Sequence, residues 1–225
     1  NDNMIKVGRI PSSITNISGI SGDLYVYRNH TYENIVSAER AKKEGRYNRD
    51  RHYHDIGENE FVNAVLSIKH PILSYSGVSK DGNPTITMVL DQTKNGAPLY
   101  AAMEFYSTKP VNGRFDYRPH VVLTVSENDF DRYAKTISNA IRQNKLLQYD
   151  LNKGNDLPVI ARVISTGNIT ASSLDKNIAQ FKKEVNAFRE KNNIYYSIDT
   201  DAAREAFTKI DTEALTSRSE ERVSR

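Results

Sequence analysis

The chain has 225 residues, 38% of them apolar and 26% charged, with a mean hydropathy of −0.63. That is enough to bury one good core and leave an appendage over, and it excludes both wholesale disorder and membrane residence. The 31 basic and 28 acidic residues are interspersed, and the net charge of +3 permits nucleic-acid binding without demanding it. The absence of cysteine excludes disulfides, thiol nucleophiles and thiolate metal sites.

In chain order, Leu24-Tyr25-Val26-Tyr27 has strand composition, and Thr31 is placed to cap a helix carrying Tyr32, Ile35 and Val36 on one side, fraying by Gly45. The densest basic stretch follows, Arg40, Lys42, Lys43, Arg46, Arg49 and Arg51, and reads either as a solvated helix face or as a surface for a polyanion. Asp55 with Glu58 in capping-box spacing announces a second helix whose stripe is Phe61, Val62, Val65 and Leu66, ended by Pro71. The period then changes to two. Strands are expected at Ile72–Tyr75, Thr85–Leu90, Leu99–Tyr106 and Val121–Val125, joined by turns at Asp81-Gly82, Asn95-Gly96 and Asn112-Gly113, as an antiparallel meander.

Ser126 with Asp129 then opens a helix with Phe130, Tyr133, Ala134, Ile137, Ala140 and Ile141 on one buried face, expected to lie across the sheet. A short strand is expected at Leu146–Tyr149, and Pro158–Ala161 as an edge. Beyond residue 166, Ser172 with Asp175 caps a helix carrying Ile178, Phe181, Val185 and Phe188. A second amphipathic segment carries Ala203, Ala206, Phe207 and Ile210, before a tail with few apolar anchors. The expected fold is therefore α+β: N-terminal helices, a four-stranded antiparallel meander with a packed helix, then a C-terminal helical extension. The division is 1–166 for the domain and 167–225 for an extension that docks in cis or on a partner.

The strong catalytic motif classes are missing: there is no Gly-rich phosphate loop, no helix with paired histidines around a glutamate, and no Gly-x-Ser-x-Gly elbow. No cofactor is expected. No apolar run approaches the roughly 20 residues that span a bilayer, so no membrane association is expected either. Five histidines remain, at positions 30, 52, 54, 70 and 120. His52, His54 and His30 lack a carboxylate or cysteine to complete a metal set. His54 precedes a helix and reads either as an exposed flank or as a general acid/base for RNA cleavage, where a proton leaves the 2′-hydroxyl and another reaches the 5′-oxygen. His70 reads as a turn residue, and His120 as a surface or site-facing one. Thr124 and Ser126 share a strand face and are placed to position a phosphate, with Arg114 or Arg118 to neutralise its charge. Tyr75, Tyr100, Tyr106 and Tyr149 offer rings for base stacking or for packing.

Val7-Gly8-Arg9-Ile10-Pro11, Asn29-His30, His54-Asp55-Ile56-Gly57, His70-Pro71-Ile72, Val122-Leu123-Thr124-Val125-Ser126 and Lys145-Leu146-Leu147-Gln148-Tyr149-Asp150 occur in order over residues 4 to 155. Together they resemble the phage MuF C-terminal domain, a polymorphic toxin domain grouped with the barnase, EndoU, colicin and RelE superfamily. The resemblance implies a metal-independent endoribonuclease acting in the bacterial cytoplasm after delivery with a phage particle, with RNA as substrate and an immunity or antitoxin protein as partner. It matches His54 and His30 to family histidines and Ser126 to the serine closing a strand. His120, Arg118 and Thr124 complete the expected catalytic set, and Arg51 with Tyr149 the substrate-binding one. The family's Ser-x-Tyr pattern is replaced by Glu127 and Asn128 after Ser126, which keeps a non-catalytic binding module of a virion or injected polyprotein as the alternative. A third reading is another effector enzyme, such as an ADP-ribosyltransferase.

Overall fold

The computed structural model describes residues 4–28, 31, 56–94, 96–109, 118–127, 130–154, 158–167 and 169–194. Its strands are β1 (Met4–Arg9), β2 (Asp23–Tyr27), β3 (Leu73–Val78), β4 (Pro84–Lys94), β5 (Ala97–Glu104), β6 (His120–Glu127) and β7 (Leu146–Tyr149). Its helices are α1 (Ser12–Ser18), α2 (Glu58–Ser67), α3 (Phe130–Arg142), α4 (Leu151–Gly154), α5 (Pro158–Thr166) and α6 (Ala171–Lys191).

The strands form one seven-stranded sheet in the order β1-β2-β6-β5-β4-β3-β7. The expected meander is its centre, since β3, β4, β5 and β6 pair antiparallel in succession. The fold is α+β, but the four-stranded antiparallel sheet is corrected to a mixed one. β7 adds antiparallel to β3, β2 runs parallel to β6, and β1 adds antiparallel to β2. Ahead of the central strands the described elements are β1, α1, β2 and α2, in that order. β1 escapes a periodicity reading because Met4 is the only one of its residues that is buried. The pairing of β2 with β6 depends on residues far apart in the chain, which local spacing does not encode.

One sheet face packs on α1, α2 and α6. Val26, Val122, Val125, Ala101, Met103, Ile86 and Met88 meet Ile14 and Ile17 of α1, Phe61 and Ala64 of α2, and Phe181 and Val185 of α6 in a single cluster. The inward arc of α2 is Phe61, Ala64, Val65 and Ile68, a regular helical spacing. Val62 and Leu66 are 47% and 53% exposed, so the expected stripe is rotated. The start of α2 also moves: Gly57 is the N-cap, and its N–H donates to the Glu60 carboxylate. α6 is capped by Thr170 rather than Ser172, with Ser173 N–H donating to Thr170 Oγ1 at 3.1 Å. Asn177 Nδ2 ties α6 to the Leu146 carbonyl of β7 at 2.8 Å.

The second face carries a smaller cluster, in which Leu73, Val89 and Leu146 meet Ile137 of α3 and Ile160 and Ile164 of α5. Pro158–Ala161, expected as an edge strand, is the first turn of α5. Proline is well suited to that position, and Ile160 and Ile164, four apart, supply the buried side. The expected helix after Thr31, the turn at Asn112-Gly113 and the segment from Ala203 lie outside the described residues.

Candidate functional site

Residues opposed across antiparallel strands project from the same face, so the register lays out the second face in rows. One row runs Ser126, Tyr100, Val89, Leu73, Tyr149 from β6 to β7. The next runs Thr124, Ala102, Thr87, Tyr75. A bulge in β6, where Ala102 faces Thr124 but Met103 faces Val122, leaves Leu123 as the extra residue and keeps Thr124 and Ser126 in step with Tyr100.

This second row is less buried than its counterpart on the opposite face. Thr124, Ala102, Thr87 and Tyr75 are all half-buried, as is Tyr100, whereas Ala101, Met103, Ile86 and Met88 on the opposite face are fully buried. α3 and α5 cover the side of β3, β4 and β7, and Tyr25, Tyr27, Val121 and Leu123 form a separate cluster on the other side. Thr124, Ala102 and Thr87 lie between them, with the Tyr75 and Tyr100 rings packed against the α3–α5 cluster. Burial raises the Tyr75 phenol above its usual 10.0, with Tyr100 adding to the rise and a side-chain hydrogen bond with Thr87 opposing it. Tyr75 is therefore a neutral donor at physiological pH and not a base. Ser126 is fully buried, and its Oγ has no hydrogen-bond partner among the described residues. Thr31, the residue after His30, donates from Oγ1 to the Leu123 carbonyl at 3.0 Å, next to Thr124.

The start of β6 has a different chemistry. His120 is 1% exposed, and its Nδ1 accepts from the Tyr106 N–H at 3.4 Å. Its ring lies edge-on to Tyr106 and Phe105, with centroids 4.8 and 5.8 Å away. Tyr106 has a φ of 55°, stacks with Phe188 of α6 at 6.4 Å, and has the Arg189 guanidinium 5.9 Å from its ring centre. Arg118 precedes this strand, with a buried Nη1. Nearby, the Tyr27 and Ser107 hydroxyls are 2.5 Å apart and Lys109 Nζ lies 4.6 Å from the Tyr27 ring centre.

The expected set is thus distributed. Thr124 and Ser126 stand together beside Tyr100, and Arg118 stands with His120. At about 3.3 Å per residue, roughly 20 Å of strand separates His120 from Ser126. Tyr149 lies in the Ser126 row but at the far edge, about 19 Å away across four strand spacings. His54, His30 and Arg51 lie outside the described residues. His70 sits at the α2–β3 junction in a cleft of about 520 Å³ with Lys69, Gln148 and Asp150. Sequence reasoning passed over Thr87 and Arg189. Thr87 alternates like any strand residue, and Arg189 looks like one more charge on an amphipathic helix.

Among the described residues, no group of three or more histidines, aspartates or glutamates is placed to hold a metal ion, and no helix is long and apolar enough to cross a membrane. Compared with known proteins, the chain matches no family model, no curated protein and no solved structure.

Proposed function

We propose that this chain is an RNA-acting effector domain of phage or mobile-element origin, a metal-independent endoribonuclease whose substrate lies along the half-buried row of Thr124, Ala102, Thr87 and Tyr75. The observation that supports this reading is that this row of hydroxyls and rings is only half-buried, whereas Ala101, Met103, Ile86 and Met88 on the opposite face are fully buried. Tyr100 and Tyr75 offer rings for base stacking, and the threonine hydroxyls offer donors and acceptors to ribose and phosphate. Neutral hydroxyls orient a substrate but do not move its protons at pH 7. That task falls to His54 and His30: one takes the 2′-hydroxyl proton as O2′ attacks phosphorus, and the other gives a proton to the departing 5′-oxygen, leaving a 2′,3′-cyclic phosphate. Thr31, anchored beside Thr124, is the sequence neighbour of His30.

The test is incubation of the protein with total RNA in excess chelator, beside His54→Ala, read on a denaturing gel. Cleavage by the parent and not by the variant is expected. Intact RNA at high protein concentration overturns the ribonuclease reading. One observation favours a second reading, a binding module without chemistry: the described histidines do not converge, His120 being sealed in the core and His70 lying at the α2–β3 junction. RNA retained on the protein yet left intact would select it.

A further inference from the structure

We infer that the end of the sheet where β5 leaves and β6 enters is a phosphate-binding site, built by Arg118 and Arg189 around the Tyr106–His120 pair. Each arginine has a buried guanidinium nitrogen without a hydrogen-bond partner among the described residues, Nη1 of Arg118 and Nε of Arg189. Neither takes part in an ion pair among the described residues. A buried charged donor left without an acceptor carries its whole desolvation cost, so two of them in one region mark a place where an anion belongs.

The two arginines reach that region from different elements. The Arg189 guanidinium lies over the Tyr106 ring, the same ring meets His120, and His120 follows Arg118 by two positions. Tyr106 holds a left-handed backbone, φ 55°, a conformation costly for a residue with a bulky side chain and found where the surroundings impose it. The Tyr106 ring holds the Arg189 guanidinium 5.9 Å from its centre, and the Arg189 Nε–H is left for an acceptor.

Charge selects the ligand. Two guanidinium groups bring +2, which a dianionic phosphate matches and a carboxylate half neutralises. That charge match favours inorganic phosphate or the terminal phosphate of a nucleotide over the singly charged diester of an RNA backbone. The inference rests on the guanidinium geometry and not on RNA cleavage, and the two are read in separate assays.

The experiment is calorimetric titration of the full chain with inorganic phosphate, at ionic strength held constant with chloride, repeated with acetate, adenosine 5′-monophosphate, and an oligoribonucleotide with and without a 5′-phosphate. Phosphate and the monophosphate are expected to bind, acetate not to. The 5′-phosphorylated oligonucleotide is expected to outbind its hydroxyl counterpart. Arg118→Gln and Arg189→Gln are each expected to weaken phosphate about tenfold or more, the loss of a charge-assisted hydrogen bond. Should a variant fail to fold, the parent still decides, because phosphate is expected to shift its His120 imidazole NMR signals at saturations that match the calorimetry. No phosphate binding, equal binding of acetate, an unmoved His120 signal, or unchanged affinity in both folded variants overturns the proposal.

Discussion

Replacing Phe181 by alanine tests whether α6 is part of the core or an ornament on it. The ring is 2% exposed, lies 6.3 Å from the Phe105 ring at a tilt of 49°, and shares its cluster with Val185, one turn further along the helix. Truncation to the β-carbon removes on the order of 100–150 Å² of buried apolar surface, which at about 25 cal/mol per Å² is about 3 kcal/mol. The lost aromatic pair and the incompletely collapsed cavity bring the expected cost to about 3–5 kcal/mol. A domain of ordinary stability has only about 5–15 kcal/mol to lose, so the variant should melt far below the parent. Urea unfolding followed by circular dichroism reads the difference at an unchanged dependence on denaturant. A cost under about 1 kcal/mol would refute the reasoning, because it would mean the sheet closes over its core without α6.

Two further outcomes follow from the same geometry. The folded chain holds the Tyr75 proton more tightly than the unfolded one, so this group's contribution to stability is complete below pH 10.0 and is lost as pH rises through the higher folded value. The urea midpoint of the parent should therefore fall more steeply above pH 10.0 than that of Tyr75→Phe. On the outer side of α2, Leu66→Ala should change stability by no more than about 0.5 kcal/mol in the same urea assay, since that side chain is 53% exposed.

The central strands were legible because a half-buried strand alternates, as Leu99, Ala101, Met103 and Phe105 do, and because Gly82 and Gly96 take positive φ at the two hairpin turns. What lay beyond local spacing was lost. α1 has a short run with Pro11 as N-cap and no side-chain cap, so nothing announced it. The α2 stripe was misplaced because Ala64, small and ambiguous, is buried while Leu66 is not. Of the candidate site, Thr124, Ser126 and Tyr100 were legible from strand parity. Which row of the sheet is left only half-buried depends on where α3 and α5 come to rest, and so Thr87 was not. Arg189 belongs to the same class: α6 must first cross the end of β5 before that side chain meets Tyr106.

The parallel contact between β2 and β6 makes the sheet non-local in the order of synthesis. Leu24, Tyr25 and Val26 find their partners only when His120, Val121 and Val122 have been made. At the usual pace of about 5–20 residues per second, the ribosome needs on the order of 5–20 s to supply them. Throughout that interval the nascent β2 offers an unpaired edge, and β5 soon offers another, both of them destined for the middle of the sheet. The newborn chain is thus most vulnerable to mispairing before β6 arrives, and that single strand joins the β1–β2 pair to β5 and the strands beyond it.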